Sequence, residues 1–258
     1  MKKLAVFCVA ALVVCLFVFG KAHPINEHQK EEVLENVKAK KQVVKKVPLK
    51  EIPKNEKIVF LTFDDGPSQY TEQLIKVLKE NDIKATFFMQ GVNLQNKSLQ
   101  PSVKKASDQG NYIGSHSMTH DYRKLYVEGK FIQEMKQTQQ LIKSITGKHH
   151  QLVRAPYGSA PGLKDQTVRN QLANEKIKLW DWNIDSEDWH RDATPERILS
   201  TIKKETIQNT EVVLMHEKPN TVKAMPSIIE YYKSQGYKFA VYGQYKHFEM
   251  NFMGDPKL

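Results

Sequence analysis

The feature that most constrains this chain is an apolar run that ends in two adjacent carboxylates. Residues 58–63 (IVFLTF) are apolar or β-branched, and Asp64, Asp65 and a Gly-Pro pair follow them directly. A short apolar run closed by turn residues is typical of a buried strand. Carboxylates at the end of such a strand cost desolvation energy unless a partner compensates them. The fold is therefore expected to bring a partner to this strand end.

The N-terminus has the pattern of an export signal. Two lysines precede an uncharged run over residues 4–20, and the small residues Gly20 and Ala22 lie at its end. This order predicts a signal peptide over residues 1–22 that is cleaved after Ala22. An uncleaved membrane anchor is the alternative, because the run is near the length that spans a bilayer. We expect an exported protein that is extracellular, in the cell wall or at the outer face of the membrane.

Both cysteines of the chain, Cys8 and Cys15, lie inside this segment. Cys15 would be the acceptor of a lipid anchor, but Val14 before it is larger than the small residue that such sites prefer. After cleavage the chain would contain no cysteine, so its core and not disulfides would hold it together.

Residues 23–55 form a basic segment without glycine. The first 57 residues contain 12 Lys and 6 Glu, a net charge of +6 out of +10 for the whole chain. The composition predicts a solvated stalk or linker, with an isolated charged helix over residues 27–46. The alternative is attraction to an anionic wall polymer or membrane surface. Nucleic acid is not expected as a partner, because the basic residues do not alternate with aromatic ones. A monomer is expected.

Residues 56–258 alternate strand-like and helix-like patterns and are predicted to form one catalytic domain. Strands are predicted over 58–63, 85–89, 112–114, 152–153, 177–180, 212–215 and 237–241. Helices are predicted over 71–81, 101–109, 131–146, 163–174, 195–206 and 225–235. Such alternation favours parallel strands joined by crossover helices. With about seven strands and no glycine-rich dinucleotide motif, the pattern favours an α/β fold with a closed or nearly closed barrel.

Polar residues follow four further predicted strands. They are His116 and His120, Arg154, the acidic segment 181–189 and His216. Taken singly, each has an ordinary structural explanation, such as surface histidines or a salt bridge. In a parallel β/α barrel, however, all these strand ends lie on one face, where barrel enzymes carry their chemistry. If the segment is helical, the two histidines share one face of it. With a carboxylate, the two imidazoles would complete a three-ligand metal site.

Five motifs together resemble the polysaccharide deacetylases with the NodB homology domain, carbohydrate esterase family 4. The resemblance covers roughly residues 57–242, and its motifs occur in the family's order: 62–68 (TFDDGPS), 116–120 (HSMTH), 154–158 (RAPYG), 185–189 (DSEDW) and 214–216 (LMH). It implies a distorted (β/α) barrel with fewer than eight strands.

The resemblance also implies a role for each matching residue. Asp64 would be the general base and His216 the general acid, with Arg154 orienting the base and Asp188 tuning the charge of the acid. The metal ligands would be Asp65, His116 and His120, the metal being divalent, with zinc favoured and cobalt or nickel as alternatives. The substrate-binding residues would be Tyr157, through its backbone N–H, and Trp189 and Leu214, as walls of the acetyl and sugar pocket.

These roles predict an enzyme that hydrolyses N-acetyl groups of cell-wall amino sugars, with peptidoglycan N-acetylglucosamine favoured. Alternatives within the family are N-acetylmuramic acid, chitooligosaccharide, poly-N-acetylglucosamine or acetylxylan; an alternative of another class is a non-catalytic glycan-binding wall protein. The chain departs from the common family pattern at two places. Asp121 and Tyr122 follow His120 where many members have Pro and soon a Leu, and Glu217 follows His216 where Asp is frequent.

Overall fold

The structure is a computed structural model that describes residues 48–258. Eight strands of this range form one sheet: β1 (Ile58–Gly66), β2 (Thr86–Met89), β3 (Tyr112–Ser115), β4 (Leu152–Val153), β5 (Lys178–Leu179), β6 (Ile184–Asp185), β7 (Thr210–His216) and β8 (Lys238–Ala240). Their order is β5-β4-β3-β2-β1-β7-β6, and β8 pairs with the start of β1. All pairs are parallel, and the sheet curls into a half-barrel.

The central strand β1 divides its side chains between two cores. Ile58 and Phe60 belong to the apolar cluster inside the barrel, whereas Val59 packs among residues of the surrounding helices. Successive side chains of a strand point to opposite faces. Burial on both faces explains the continuous apolar run. Thr62 and Asp64 continue the inner row at a spacing of two and are also buried, so the barrel interior becomes polar toward the carboxyl end of β1.

Helices connect the strands and cover the outside of the sheet. They are α1 (Thr71–Glu80), α2 (Gly91–Leu94), α3 (Gln100–Asp108), α4 (Phe131–Thr146), α5 (Ser159–Gly162), α6 (Gln166–Asn174), α7 (Pro195–Glu205) and α8 (Pro219–Ser234), with a π-helical turn at Arg123–Val127. Local sequence explains where several of these helices begin or end. Thr194 caps α7 by accepting a hydrogen bond from the Arg197 N–H at 3.2 Å, with Pro195 in the first turn. Gly147, with φ of 75°, ends α4.

The C-terminal segment completes the barrel beside β5. Met250 forms a parallel bridge with Trp180, directly after β5. The Trp180 indole N–H donates to the Phe248 carbonyl at 3.1 Å, and the Phe248 ring lies 5.6 Å from the Phe60 ring, centroid to centroid. Strands β5 and β6, at the two ends of the described order, do not pair. The tail therefore continues the sheet beyond β5 and packs against the apolar interior.

The predicted distorted barrel is confirmed, and several elements differ in detail. The short helices α2 and α5 and the π-helical turn were not predicted, and the helix predicted over 163–174 begins at Gln166. The short strand β6 was not predicted, because two residues carry no recognisable period. Helix α8 begins at Pro219 and not at residue 225. A proline inside a helix removes a hydrogen bond, but α8 continues through Pro226, and its buried residues, which include Met225 and Ile228, line one side.

The predicted signal segment, the charged helix over 27–46 and most of the stalk lie outside the described residues. The compact unit that contains the sheet runs from Leu49 to Leu258. At its start, Lys50 forms a bridge with Tyr245. Within residues 48–258, no helix has the length and apolar character needed to cross a membrane.

Candidate active site

The predicted site residues converge at the carboxyl ends of the central strands. In the register of β1 and β7, Asp64 lies directly opposite His216. Asp65 occupies an irregularity in the pairing of β1 with β2 and has a φ of 67°. Adjacent strand residues would normally face opposite sides, but the bulge redirects Asp65. The Asp64 side chain is 3% exposed, whereas that of Asp65 is 40% exposed. Both carboxylates nevertheless lie close to His116 Nε2, Asp64 Oδ2 at 3.7 Å and Asp65 Oδ1 at 3.6 Å.

Asp64 forms a buried ion pair with Arg154. Arg154 Nη1 donates one hydrogen bond to Asp64 Oδ1 at 2.9 Å and another to Thr62 Oγ1 at 2.7 Å. The other guanidinium nitrogens donate to the carbonyls of Trp180 and Asp181 at 3.2 and 2.8 Å. Arg154 is wholly buried, and its donors are held by fixed backbone. The rigid fork of the guanidinium therefore fixes one oxygen of Asp64 and leaves Oδ2 directed to the cluster.

Asp65, His116 and His120 bring three ligand atoms within 4.8 Å of one another. The Asp65 Oδ1 atom lies 3.6 Å from His116 Nε2 and 3.7 Å from His120 Nε2. The segment with the two histidines is not helical, so they do not share a helix face. They follow β3 in a turn in which Ser117 and His120 have φ of 65° and 56°. Left-handed residues, and not helical periodicity, bring the two rings together.

The cluster fits a divalent metal with an open coordination side. A tetrahedral site with bonds of about 2.1 Å separates its ligands by about 3.4 Å, close to the distances observed. His116 Nδ1 lies 2.9 Å from the Arg154 carbonyl, which leaves Nε2 for a metal. Two imidazoles and one carboxylate suit zinc, and cobalt or nickel accept similar ligands.

The pKa values of the cluster favour the protonation states that metal ligands need. Burial raises the pKa of Asp65, but the neighbouring histidines and the Gln90 amide lower it more, so the carboxyl is ionised. Burial and His116 lower the pKa of His120, against the opposing effect of Asp65, so this imidazole is neutral near pH 7. A carboxylate and a neutral imidazole bind a metal without first losing a proton.

His216 is paired with Asp188 on the other side of Asp65. His216 Nδ1 lies 2.7 Å from Asp188 Oδ1, and the His216 backbone N–H donates to Asp188 Oδ2 at 2.7 Å. Thr221 Oγ1 also donates to that oxygen at 2.5 Å. His216 Nε2 lies 3.9 Å from Asp65 Oδ2. Burial lowers the pKa of His216, but the hydrogen bond and charge of Asp188, with Asp64 and Asp65, raise it above its ordinary value.

The three predicted substrate-binding residues lie at the same strand ends. Leu214 is buried on β7. Tyr157 follows β4 with φ of 65°, and its N–H has no hydrogen-bond partner in the described part of the chain. Its hydroxyl donates to the His120 carbonyl at 3.0 Å. Trp189 is 49% exposed, and its indole N–H donates to Asp185 at 3.2 Å.

Sequence reasoning missed two residues that hold the Asp–His–His cluster in place. Gln90 directly follows β2 and donates to Asp65 Oδ1 at 2.5 Å. The sequence signal that could have identified Gln90 is its position directly after a strand, where the other site residues also lie. Glu134 on α4 accepts hydrogen bonds from the N–H groups of Met118 and Thr119 at 3.0 and 2.9 Å. It steadies the turn between the histidines, and no local pattern pointed to it.

Glu217 lies buried behind the site. Its Oε2 accepts hydrogen bonds from the Ser68 N–H at 2.9 Å, the Ser68 hydroxyl at 2.7 Å and the Thr71 hydroxyl at 2.5 Å. Its Oε1 has no partner among the described residues. A Cβ on Gly66 would collide with the Glu217 carboxyl group and the Met89 sulfur, so a side chain at this position would displace them. The carboxyl thus ties the loop after β1 to the end of β7.

Replacing Glu217 with Gln should change how stability depends on pH. Burial raises the pKa of Glu217 from 4.5 to about 7, against the hydrogen bonds from Thr71 and Ser68. The folded state therefore binds this proton more tightly than the unfolded state does. The free energy of unfolding should fall by about 3 kcal/mol as pH rises from 4.5 to 7. Glu217→Gln cannot titrate and should lose this decline in chemical denaturation of metal-free protein. The exposed control Glu230→Gln should keep it; an unchanged decline in Glu217→Gln would contradict the prediction.

Known proteins match this chain along most of its length. The polysaccharide deacetylase family model matches residues 51–180. A peptidoglycan-N-acetylglucosamine deacetylase of Bacillus cereus is 37% identical over 260 residues, covering 97% of this chain and 94% of the relative. The peptidoglycan-N-acetylmuramic acid deacetylase PdaC of Bacillus subtilis is 28% identical over 83% of this chain and 46% of its own length.

The crystal structure of the polysaccharide deacetylase Bc1974 from Bacillus cereus aligns with a TM-score of 0.75 and 41% identity, covering 79% of this chain and all of that one (100%). The barrel and its strand-end site, with these likenesses, define a hydrolase that acts on polysaccharides. Within that class, the chain belongs to the polysaccharide deacetylases with the NodB homology domain, carbohydrate esterase family 4. The resemblance drawn from the five motifs is confirmed.

Proposed function

We propose that this protein is a metal-dependent deacetylase that releases acetate from N-acetylated amino sugars of the cell wall, with peptidoglycan N-acetylglucosamine as its substrate. One observation carries the proposal: a base-like Asp64–Arg154 pair and an acid-like His216–Asp188 pair stand beside one Asp–His–His cluster. The choice of N-acetylglucosamine as the substrate sugar is supported by the Bacillus cereus relative, which is named a peptidoglycan-N-acetylglucosamine deacetylase.

The proposed reaction divides proton transfer between Asp64 and His216. Asp64 Oδ2 accepts a proton from the attacking water, because Arg154 holds Oδ1. His216, protonated because of Asp188, donates a proton from Nε2 to the nitrogen of the leaving amine. The amine is a poor leaving group unless protonated, so an acid is needed as well as a base.

Asp65, His116 and His120 would hold the metal, with zinc favoured. When bound, it would supply Lewis-acid polarisation of the acetyl carbonyl and lower the pKa of water. The Tyr157 N–H, free of other described partners, would stabilise the developing oxyanion, an effect worth about 3–4 kcal/mol for one donor. Leu214 and Trp189 would form walls of the acetyl and sugar pocket.

The proposed place of action is outside the cell. The charged start, apolar run and small residues of segment 1–22 support export. The basic stalk at 23–55 would span the distance to the wall or contact anionic polymer or lipid. The named substrates of the wall-deacetylase relatives agree with such a place.

Acetate release from purified sacculi and chitooligosaccharides tests the function. We expect release that falls to background after chelation and returns when zinc is added. Mass spectrometry of the products then locates the free amine: on glucosamine if the proposal holds, and on muramic acid if the PdaC-like alternative holds. Retained glycan binding without acetate release would instead support a non-catalytic wall protein and contradict the proposal.

A further inference from the structure

The exposed aromatic side chains of the described residues are confined to one region. Eight large hydrophobic residues are exposed, and the aromatic ones are Tyr122, Tyr157, Trp189 and Phe252. The first three lie on loops that follow β3, β4 and β6. Phe252 packs at 5.0 Å against Trp182, which follows β5. Aromatic faces exposed beside a catalytic site suit the stacking of sugar rings.

Tyr122 extends this aromatic surface outward from the metal cluster. The Tyr157 ring lies 4.6 Å from that of His120, centroid to centroid, and the Tyr122 ring lies 5.8 Å beyond Tyr157. Tyr122 is 45% exposed, and its hydroxyl has no hydrogen-bond partner in residues 48–258. Tyr122 therefore offers an exposed ring directly beside Tyr157, available to a neighbouring sugar if Tyr157 borders the reacting one.

The structure holds Tyr122 in place before any ligand binds. The Asp121 side chain accepts a hydrogen bond from the Lys124 N–H at 3.1 Å and starts the π-helical turn. π-Helical turns are rare in proteins overall, and those that occur are often found at functional sites. Tyr122 packs at 5.2 Å on Tyr126, whose hydroxyl donates to the Pro156 carbonyl at 2.8 Å. A ring fixed in this way loses little conformational entropy on binding.

We propose that Tyr122 forms a separate binding subsite for a sugar next to the one that reacts, so that the protein prefers extended glycan strands to short ones. The proposal rests on the proposed function for the reacting sugar. It also gives a role to the departure at Asp121-Tyr122, which the catalytic groups do not use.

The test compares N-acetylglucosamine and its chitooligosaccharides of up to five sugars as substrates. The wild type should gain in kcat/KM as the chain grows. Tyr122→Ala should raise KM for the pentamer roughly five- to tenfold and leave kcat and the activity on the monomer unchanged, because the monomer has no neighbouring sugar. Tyr122→Phe keeps the ring and should behave as the wild type. Val127→Ala, an exposed change in the same turn, controls for disturbance of the segment.

Two outcomes would overturn the subsite. One is an equal loss on monomer and pentamer, which would indicate a structural role for Tyr122. The other is an unchanged KM for the pentamer in Tyr122→Ala. If the wild type releases no acetate from any oligomer, the proposed function fails instead. Calorimetric titration with the pentamer then decides the subsite alone, since Tyr122→Ala should bind it roughly five- to tenfold more weakly.

Discussion

Replacing Asp64 with Asn should reduce acetate release by roughly 10²–10⁴-fold, the usual contribution of a general base, while the protein keeps its metal. An amide cannot accept the proton of water at neutral pH. Its oxygen can still accept the hydrogen bond that Arg154 donates to Oδ1 at 2.9 Å. The ligand atoms on Asp65, His116 and His120 remain unchanged. Acetate release and metal content per chain measure the two halves of the prediction.

The same variant should also lose stability. Arg154 is wholly buried, and the neutral amide of Asp64→Asn would leave its charge without the carboxylate that now pairs with it; breaking such a pair costs about 3–5 kcal/mol. Activity should therefore be measured well below the unfolding temperature. Asp108→Asn makes the same chemical change on exposed α3 and should alter neither property. Turnover near the wild-type rate in Asp64→Asn would exclude Asp64 as the base.

Replacing His216 with Ala should likewise reduce acetate release by roughly 10²–10⁴-fold. The proposed proton donor is Nε2, which lies 3.9 Å from Asp65 Oδ2. The proposed metal ligands do not include His216, so metal content should stay the same. A full loss of metal in His216→Ala would mean that His216 helps to hold the cluster, contrary to the proposed role.

Asp188→Asn separates an acid role for His216 from a structural one. Burial lowers the pKa of His216, and Asp188 supplies the strongest opposing effect. Removing that charge lowers the pKa, so the protonated imidazole disappears at a lower pH. The alkaline limb of the kcat profile should move to lower pH, and activity at high pH should fall about tenfold for each pH unit that the limb moves. Asp185→Asn, a nearby carboxylate bound to Trp189, should leave the limb in place. A loss that is equal at every pH would contradict the acid role.

The strand-end location of the site was predictable from the sequence. Residues 58–63 form a continuous apolar run because both faces of β1 are buried. The polar residues Asp64, Arg154 and His216 each follow such a run. Parallel crossover topology places all those ends on one side, so linear order was enough to predict convergence.

The histidine pair shows what sequence spacing leaves open. A spacing of four is typical of one helix face, but His116 and His120 meet through left-handed residues in a turn. That turn is held by Glu134, which is remote in sequence. Sequence spacing shows that two residues can meet and does not decide by which backbone path.

The sequence by itself determined which strands carry polar residues at their ends, because strand burial and turn chemistry are local properties. Only the tertiary structure decided how those residues face one another. The register of β1 with β7 sets Asp64 opposite His216, and the bulge at Asp65 turns its neighbour toward the histidine cluster. Register and bulges depend on contacts between segments far apart in the chain, such as the Glu217 contact with Ser68. For that physical reason, the residues alone do not show which partner each of the two adjacent carboxylates meets: the resemblance implied different roles for Asp64 and Asp65, and the folded structure gives each carboxylate its own contacts.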